Sequence, residues 1–187
     1  MMNADFVGRV VVGTLVLACA LLPREALARA TAPGCDEDLT PVHGKCYNIS
    51  TNEIHDFPHR WELAMALCKV RHAAGLAAIT SQQESEAVYE FLKLHNASRV
   101  WLGLKVVRDK TNNEQTLSWL GALRNRQDQY PPVNYINWDQ TEFTFPASGE
   151  LCVMGETDEI EKAVVFKAVN CSEQFAYALC QKGPKDY

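Results

Sequence analysis

The sequence lacks the short motifs that mark the common enzyme classes. It has no Gly-x-Ser-x-Gly, no His-Glu-x-x-His and no phosphate-binding loop, so no hydrolase elbow, zinc-protease helix or nucleotide cradle is indicated. Its five histidines fall mostly in the N-terminal half, without a candidate nucleophile beside them. We therefore predict a binding protein and not an enzyme.

An excess of charge of one sign is also missing. The 187 residues include 18 Lys and Arg and 23 Asp and Glu, for a formal net charge of −5. The basic residues are scattered, whereas a nucleic-acid partner would require a basic patch or stripe. Nucleic acid is thus excluded as a predicted partner.

Long apolar runs are scarce, and the single one lies at the N-terminus. Residues 7–22 are almost continuously apolar, Pro23 ends the run, and residues 26–28 read Ala-Leu-Ala, a cleavage pattern. The clean core, residues 10–22, is shorter than the roughly 20 residues of a membrane span. We predict a secretory signal peptide over residues 1–28, with cleavage after Ala30 as the alternative. The protein is then secreted and extracellular, with no membrane anchor.

Close Cys-x-x-Cys pairs, which a zinc site favours, are absent as well. Of the seven cysteines, Cys19 lies in the apolar run and is removed with it. The other six are Cys35, Cys46, Cys68, Cys152, Cys171 and Cys180. An even number in a secreted chain predicts three disulfides, but spacing alone leaves their connectivity open.

Two amphipathic helices are predicted in the first half of the mature chain. Trp61, Ala64 and Cys68 recur at helical spacing after Pro58. A second helix follows residue 81, because Ser81-x-x-Glu84 forms a capping box ahead of an apolar stripe.

The second half changes to short strand-like segments. Residues 100–104 and 116–122 are predicted strands, and three more follow residue 150. Residues 123–149 show no periodicity and predict a long loop region. Without βαβ alternation, this is an α+β pattern: two helices packed on short antiparallel strands with a long loop region and three disulfides.

Several motifs occur in an order that is typical of one domain family. They are Trp61-x-x-Ala64-x-x-x-Cys68, Gly75-Leu76, Trp101-Leu102-Gly103-Leu104, Trp119, Tyr135-Ile136-Asn137-Trp138, Glu150-Leu151-Cys152-Val153 and Phe175-Ala176-Tyr177-Ala178-Leu179-Cys180. Together they resemble the C-type lectin-like domain in its long form. The resemblance implies a domain over residues 35–182, after a short segment 29–34 and before a tail 183–187.

The resemblance also implies which cysteines pair. It gives Cys68–Cys180, Cys152–Cys171 and the N-terminal pair Cys35–Cys46 that is typical of the long form.

Calcium is a cofactor of the sugar-binding members that this chain resembles, but its ligand motifs are mostly lost here. Glu150 matches one ligand position, whereas the family tripeptide reads Phe145-Pro146-Ala147 and the later motif reads Phe166-Lys167-Ala168. Lys167 would bring an ammonium beside the vacant site. Aligning Glu142-Phe143-Thr144 with the tripeptide also leaves the later motif broken. Because calcium takes about six to eight oxygen ligands, we predict no metal cofactor, calcium being possible only with an incomplete ligand set.

Two ligand hypotheses remain. In the first, the loop surface (residues 125–149) binds an extracellular protein or glycoprotein without calcium, with Phe143 and Phe145 as anchors and Glu150 and Lys167 as polar contacts. In the second, the protein is a carbohydrate-binding lectin with an unconventional or calcium-dependent glycan site. The loop aromatics can equally form the core of the loop, and the oligomeric state stays open.

Two further features concern glycans and zinc. Of three Asn-x-Ser sequons, those at Asn48 and Asn96 predict a glycoprotein, whereas Asn170 is disfavoured by the bridged cysteine beside it. His55 and His59 are four residues apart, but Pro58 between them disfavours the helix that a zinc site would use.

Overall fold

The computed structural model describes residues 34–50, 60–108, 114–123, 129–139, 150–173 and 176–183. All of them lie in the second of the two units into which the chain divides, Thr31–Tyr187. The predicted signal peptide (residues 1–28) lies outside the described residues, so that assignment stays a prediction. Within the described ranges, no helix is long and apolar enough to cross a bilayer.

The first helix, α1 (Trp61–His72), follows the apolar stripe of the sequence. Trp61, Ala64 and Cys68 are buried on one face because residues three and four apart lie on the same side of a helix. The last turn is rich in basic side chains, which interact favourably with the exposed carbonyl groups there.

The second helix, α2 (Gln82–Leu94), begins at the predicted capping residue. The Ser81 hydroxyl oxygen accepts the backbone N–H of Glu84 at 3.2 Å. The reciprocal half of the capping box is absent, because the Glu84 carboxylate accepts the backbone N–H of Thr80 instead, at 2.8 Å. The predicted helix start is confirmed, but the carboxylate has a different partner.

The described residues contain eight strands in one sheet. In chain order they are β1 (Thr40–Val42), β2 (Lys45–Ser50), β3 (Gly75–Leu76), β4 (Arg99–Arg108), β5 (Gln115–Ser118), β6 (Glu150–Asp158), β7 (Ala163–Val169) and β8 (Tyr177–Lys182). Their spatial order is β1-β2-β8-β4-β6-β7, with β3 paired to β8 and β5 paired to β4. The predicted α+β class is confirmed.

One pairing corrects the prediction of an antiparallel sheet. β4 and β8 run parallel, with Val100 opposite Tyr177 and Trp101 opposite Ala178. β8 lies between β2 and β4, and its antiparallel pairing with β2 fixes its direction. Local periodicity identifies a strand but gives no information about its neighbour from a distant part of the chain.

The sheet separates two apolar clusters. Residues of α2 pack with Leu102, Val153 and Phe166 on one face, while α1 packs with Trp101 and Met154 on the other. Side chains alternate between the two faces along β4 and β6, as the pleat of a strand requires.

Gly103 in β4 is required by a close approach of two backbone segments. A Cβ atom at this position would lie 2.7 Å from the backbone nitrogen of Ala122. The glycine of the Trp-Leu-Gly-Leu motif therefore lets the turn that follows β5 pack directly on β4.

Three disulfides are formed among the described residues, Cys35–Cys46, Cys68–Cys180 and Cys152–Cys171. They are the pairs that the resemblance implies. Cys68–Cys180 joins α1 to β8 across 112 residues of sequence, whereas the others span 11 and 19. The long bridge thus connects the helical half of the domain to its C-terminal strand.

A buried polar network joins α2 to the N-terminal hairpin. The Glu84 side chain is only 1% exposed and lies 2.6 Å from Lys45 Nζ, and it also accepts a hydrogen bond from the Tyr47 hydroxyl. Burial alone would raise the pKa of Glu84. The hydrogen bonds from Lys45, Tyr47 and Thr80 have the opposite and larger combined effect, so the pKa of Glu84 lies below its ordinary value. Burial and the adjacent carboxylate raise the pKa of Tyr47 well above its ordinary value.

Candidate functional site

The described end of the long loop region runs along the outer edge of β7. The Phe166 N–H donates to the Asn137 carbonyl at 2.6 Å, and the Asp139 N–H donates to the Phe166 carbonyl at 2.9 Å. The rings of Tyr135 and Trp138 meet the ring of buried Phe166 edge to face. This pairing brings the Asp139 side chain beside the polar side chains of β7.

Lys167 of β7 lies between two carboxylates. Its Nζ is 3.0 Å from Asp139 Oδ2 and 2.5 Å from Glu156 Oε2. The three side chains are partly buried, with exposed fractions of 35%, 24% and 32% for Lys167, Asp139 and Glu156. The hydrogen bonds to Glu156 and Asp139 raise the pKa of Lys167, so the ammonium stays charged at neutral pH.

An open depression of about 330 Å³ surrounds these ion pairs. Its lining includes Trp138, Asp139, Glu156, Asp158, Glu161, Val165 and Lys167. We call it the acidic groove, because its lining contains four carboxylates and one ammonium. Among the described residues, no group of three or more His, Cys, Asp or Glu side chains is arranged to hold a metal ion.

Glu150, the remaining match to a calcium ligand, is bound by a second lysine. Its Oε2 lies 3.3 Å from Lys105 Nζ. The same ammonium lies 4.6 Å from the centroid of the Trp61 ring, in cation–π geometry. Glu150 is therefore fixed at the start of β6 as the partner of a cation that the protein itself supplies.

Glu150 and Lys167 have different ion-pair partners, Lys105 for Glu150 and the pair Asp139 and Glu156 for Lys167. Lys167 is opposite Met154 in the β6–β7 ladder, four residues along β6 from Glu150. Four residues of strand correspond to about 13 Å. The two side chains thus belong to two ion-pair clusters in the described structure.

The predicted anchors Phe143 and Phe145 lie outside the described residues, as do the tripeptide Phe145-Pro146-Ala147 and its alternative from Glu142. Their roles stay predictions. In the described part of the loop region, Tyr135 and Trp138 are half-buried against the main apolar cluster. Tyr135 is thus part of the loop core, as the sequence allowed, while Trp138 also lines the acidic groove.

The acidic turn between β6 and β7 makes structural contacts. Asp158 Oδ1 accepts the backbone N–H groups of Ile160 and Glu161 at 2.7 and 2.8 Å and so closes the turn. The Glu159 carboxylate accepts hydrogen bonds from Tyr89, at 2.7 Å, and from Lys93. The carboxylates thus hold the hairpin in shape and attach it to α2.

An apolar groove on another side of the domain was not anticipated from the sequence. It measures about 600 Å³, and its lining includes Met65, Ala66, Leu120, Ala122, Leu123 and Tyr130. Beyond Leu123 and Tyr130 it continues into a depression of about 410 Å³ that contains Pro131 and Pro132. We call the two together the apolar groove.

Sequence reasoning missed both the partners of Lys167 and the apolar groove. Glu156 is opposite Val165 and hence diagonal to Lys167, a relation that the hairpin register could have revealed. Asp139 has no such signal, because it reaches Lys167 through the distant pairing with Phe166. The exposure of Leu120 and Leu123, 37% and 42%, depends on how their turn packs against β4.

Comparisons with known proteins agree with this architecture. The sequence model of the family described as "Lectin C-type domain" matches residues 57–182. "C-type lectin TsL" of Trimeresurus stejnegeri is 28% identical over 131 residues, which cover 68% of this chain and 72% of that protein. The "Secretory phospholipase A2 receptor" of Mus musculus is 26% identical over 152 residues, 81% of this chain and 9% of the receptor. The crystal structure of human lithostathine superposes with a TM-score of 0.53 at 21% identity, covering 79% of this chain and 89% of that one, and shows the same fold.

Proposed function

Because this chain belongs to the C-type lectin domain family, whose members are non-enzymatic binding modules, we propose that it is a secreted recognition module for an extracellular protein or glycoprotein and that it works without calcium. The observation that carries calcium independence is the position of the Lys167 ammonium between Asp139 and Glu156.

An ammonium and a calcium ion compete for the same carboxylate oxygens. Calcium requires about six to eight oxygen ligands, and Lys167 already forms ion pairs with the two carboxylates nearest to it. Lys105 does the same for Glu150. A calcium ion entering either cluster would have to displace a tethered cation of like charge, which repels it at short range. The protein's own lysines therefore bind carboxylates that a calcium ion would need as ligands.

The apolar groove supports a protein ligand. Leu120 and Leu123 are large apolar side chains that remain exposed, and Tyr130 lies beside them in the groove. The fully buried centres of protein interfaces are apolar, with tyrosine among the enriched residues. A relative named as the receptor of a secreted phospholipase is in line with recognition of a protein.

A carbohydrate ligand is the second candidate, favoured by the name of the lectin that is 28% identical to this chain. The acidic groove offers Trp138 together with carboxylates. An aromatic ring can stack on a sugar face while the carboxylates accept hydrogen bonds from hydroxyl groups.

The melting temperature of the secreted domain is expected to be the same in calcium and in EDTA. A ligand present at a hundred times its Kd would add about 2.7 kcal/mol, which amounts to a rise of several degrees. Lys167→Met removes the ammonium that pairs with Asp139 and Glu156 and should cost about 1 kcal/mol, because the cluster is partly screened by solvent. Calorimetry of both proteins in each buffer measures these effects.

Lys162→Met, on the exposed turn of the same hairpin, is the control and should leave the stability unchanged. Calcium should recover part of the lost stability in Lys167→Met but not in this control. An EDTA-reversible rise in the melting temperature of the unsubstituted protein would contradict calcium independence.

The ligand class can be tested with a printed glycan array and a displayed library of extracellular proteins, each probed in calcium and in EDTA. We expect a protein ligand whose binding persists in EDTA and weakens at least about tenfold, or 1.4 kcal/mol, in Leu123→Glu. Leu94→Glu, at an exposed leucine of α2, is the matched control and should bind normally. Glycan binding that is unaffected by Leu123→Glu would instead support the second candidate.

A further inference from the structure

The three Asn-x-Ser sequons have very different surroundings in the folded domain. Asn96 is exposed and ends α2 in a left-handed conformation, with φ of 53°. Its N–H donates to the Lys93 carbonyl at 3.2 Å and the Ala97 N–H donates to the Leu92 carbonyl at 3.0 Å, the paired bonds of a Schellman motif. The backbone is thereby satisfied, and no described residue hydrogen-bonds to the Asn96 carboxamide.

Asn48 lies inside the sheet, where β2 pairs with β8 opposite Cys180. Its Nδ2 donates to the Asp38 carbonyl at 2.5 Å. The hydroxyl-bearing residue of the same sequon, Ser50, is only 3% exposed. A sugar on Asn48 would displace the contact with Asp38 and crowd the N-terminal hairpin.

Asn170 forms a closed turn with its own sequon serine. Its Oδ1 accepts both the backbone N–H of Ser172, at 3.0 Å, and the Ser172 hydroxyl, at 2.9 Å. The residue between them, Cys171, is bonded to Cys152. The amide oxygen of Asn170 and the Ser172 hydroxyl therefore bind each other next to a disulfide, which holds this sequon in a closed turn of the folded domain.

From these differences we infer that Asn96 is the one sequon of the three that carries an N-linked glycan. A depression of about 220 Å³ adjoins it, lined by Lys93, Asn96, Ala97, Ser98, Thr157 and Glu159. The first sugar lies against this depression, where hydroxyl and charged groups can hydrogen-bond to its polar substituents. The inference rests on the proposed secretion, because the modification takes place in the secretory pathway.

The modification is a group transfer from a lipid diphosphate-linked oligosaccharide. The Asn96 Nδ2 forms a bond to the anomeric carbon of the first sugar and loses one proton. The bond between that carbon and the diphosphate oxygen breaks, and the lipid diphosphate leaves with the electron pair. No oxidant or reductant is needed.

Three matched variants of the full chain, expressed in animal cells, test the assignment. Ser98→Ala, Ser50→Ala and Ser172→Ala each remove one sequon while leaving its asparagine in place. Mass spectrometry after enzymatic deglycosylation, which converts the modified asparagine to aspartate, should show conversion at Asn96 alone. The conversion should disappear in Ser98→Ala and persist in the other two.

The outcomes separate this inference from the proposed secretion. Protein in the medium without conversion at Asn96, or with conversion at Asn48 or Asn170, would overturn the inference but leave the secretion standing. An unmodified chain that stays in the cytosol would overturn both.

Protein trimmed enzymatically to the first sugar should have a higher melting temperature than Ser98→Ala, and Thr157→Val should reduce that difference. Equal melting temperatures would contradict the position of the sugar in the depression.

Discussion

Replacing Cys68 and Cys180 together with alanine is expected to lower the free energy of unfolding by about 4.7 kcal/mol. The bridge closes 112 residues, and a long loop gains the most from cross-linking because the unfolded chain loses the most freedom. Domains of this size have about 5–15 kcal/mol of stability in total, so the variant should be close to unfolding. Urea unfolding followed by tryptophan fluorescence measures the loss.

The matched control is the Cys35→Ala, Cys46→Ala pair, which opens a separation of 11 residues. In the chain-entropy description this bridge contributes roughly 3 kcal/mol. The order of the two losses is the critical result, since both variants remove the same atoms. An equal or greater loss for the short bridge would show that loop length does not govern the stability of this domain.

Local features of the fold could be predicted from the sequence, because they depend on neighbouring residues. The apolar spacing of Trp61, Ala64 and Cys68 located α1, and Ser81 located the start of α2. The cysteine pairs could not be derived from spacing, and they were obtained only through the resemblance. The parallel pairing of β4 with β8 depends on contacts between residues almost 80 positions apart, and a local sequence pattern does not predict such contacts.

The candidate site was less predictable for the same reason. The sequence shows that a calcium-ligand motif is broken at Lys167, but it does not show which carboxylates pair with the Lys167 ammonium. Asp139 reaches Lys167 only after the end of the loop region has paired with Phe166. Glu150 likewise looked like an isolated carboxylate until β4 brought Lys105 beside it. The sequence therefore identified residues of the candidate site, whereas the charge partner of each residue depends on tertiary contacts.

Glu84→Ala is expected to cost about 3 kcal/mol, at the lower end of the range for breaking a buried ion pair. The substitution removes the acceptor of hydrogen bonds from Lys45, Tyr47 and Thr80, and the buried Tyr47 hydroxyl is left without it. The lower end applies because Lys45 remains 26% exposed and can reach solvent. Glu90→Ala, on the exposed face of α2, should change stability by less than about 0.5 kcal/mol.

The contribution of Glu84 should also depend on pH, in a direction that its lowered pKa determines. A carboxyl whose pKa falls on folding adds stability that is fully present above its unfolded-state pKa and is lost as the pH falls through the folded-state pKa. The stability difference between the unsubstituted protein and Glu84→Gln should therefore be constant near neutral pH and shrink as the pH falls below the ordinary glutamate pKa of 4.5.

The raised pKa of Tyr47 sets the alkaline limit. Above the ordinary tyrosine pKa of 10.0, the unfolded chain releases a proton that the folded chain retains, so the free energy of unfolding falls. Urea titrations of both proteins and of Tyr47→Phe from acid to alkaline pH measure the two limits, and a Glu84→Gln difference that stays constant down to strongly acidic pH would contradict the network.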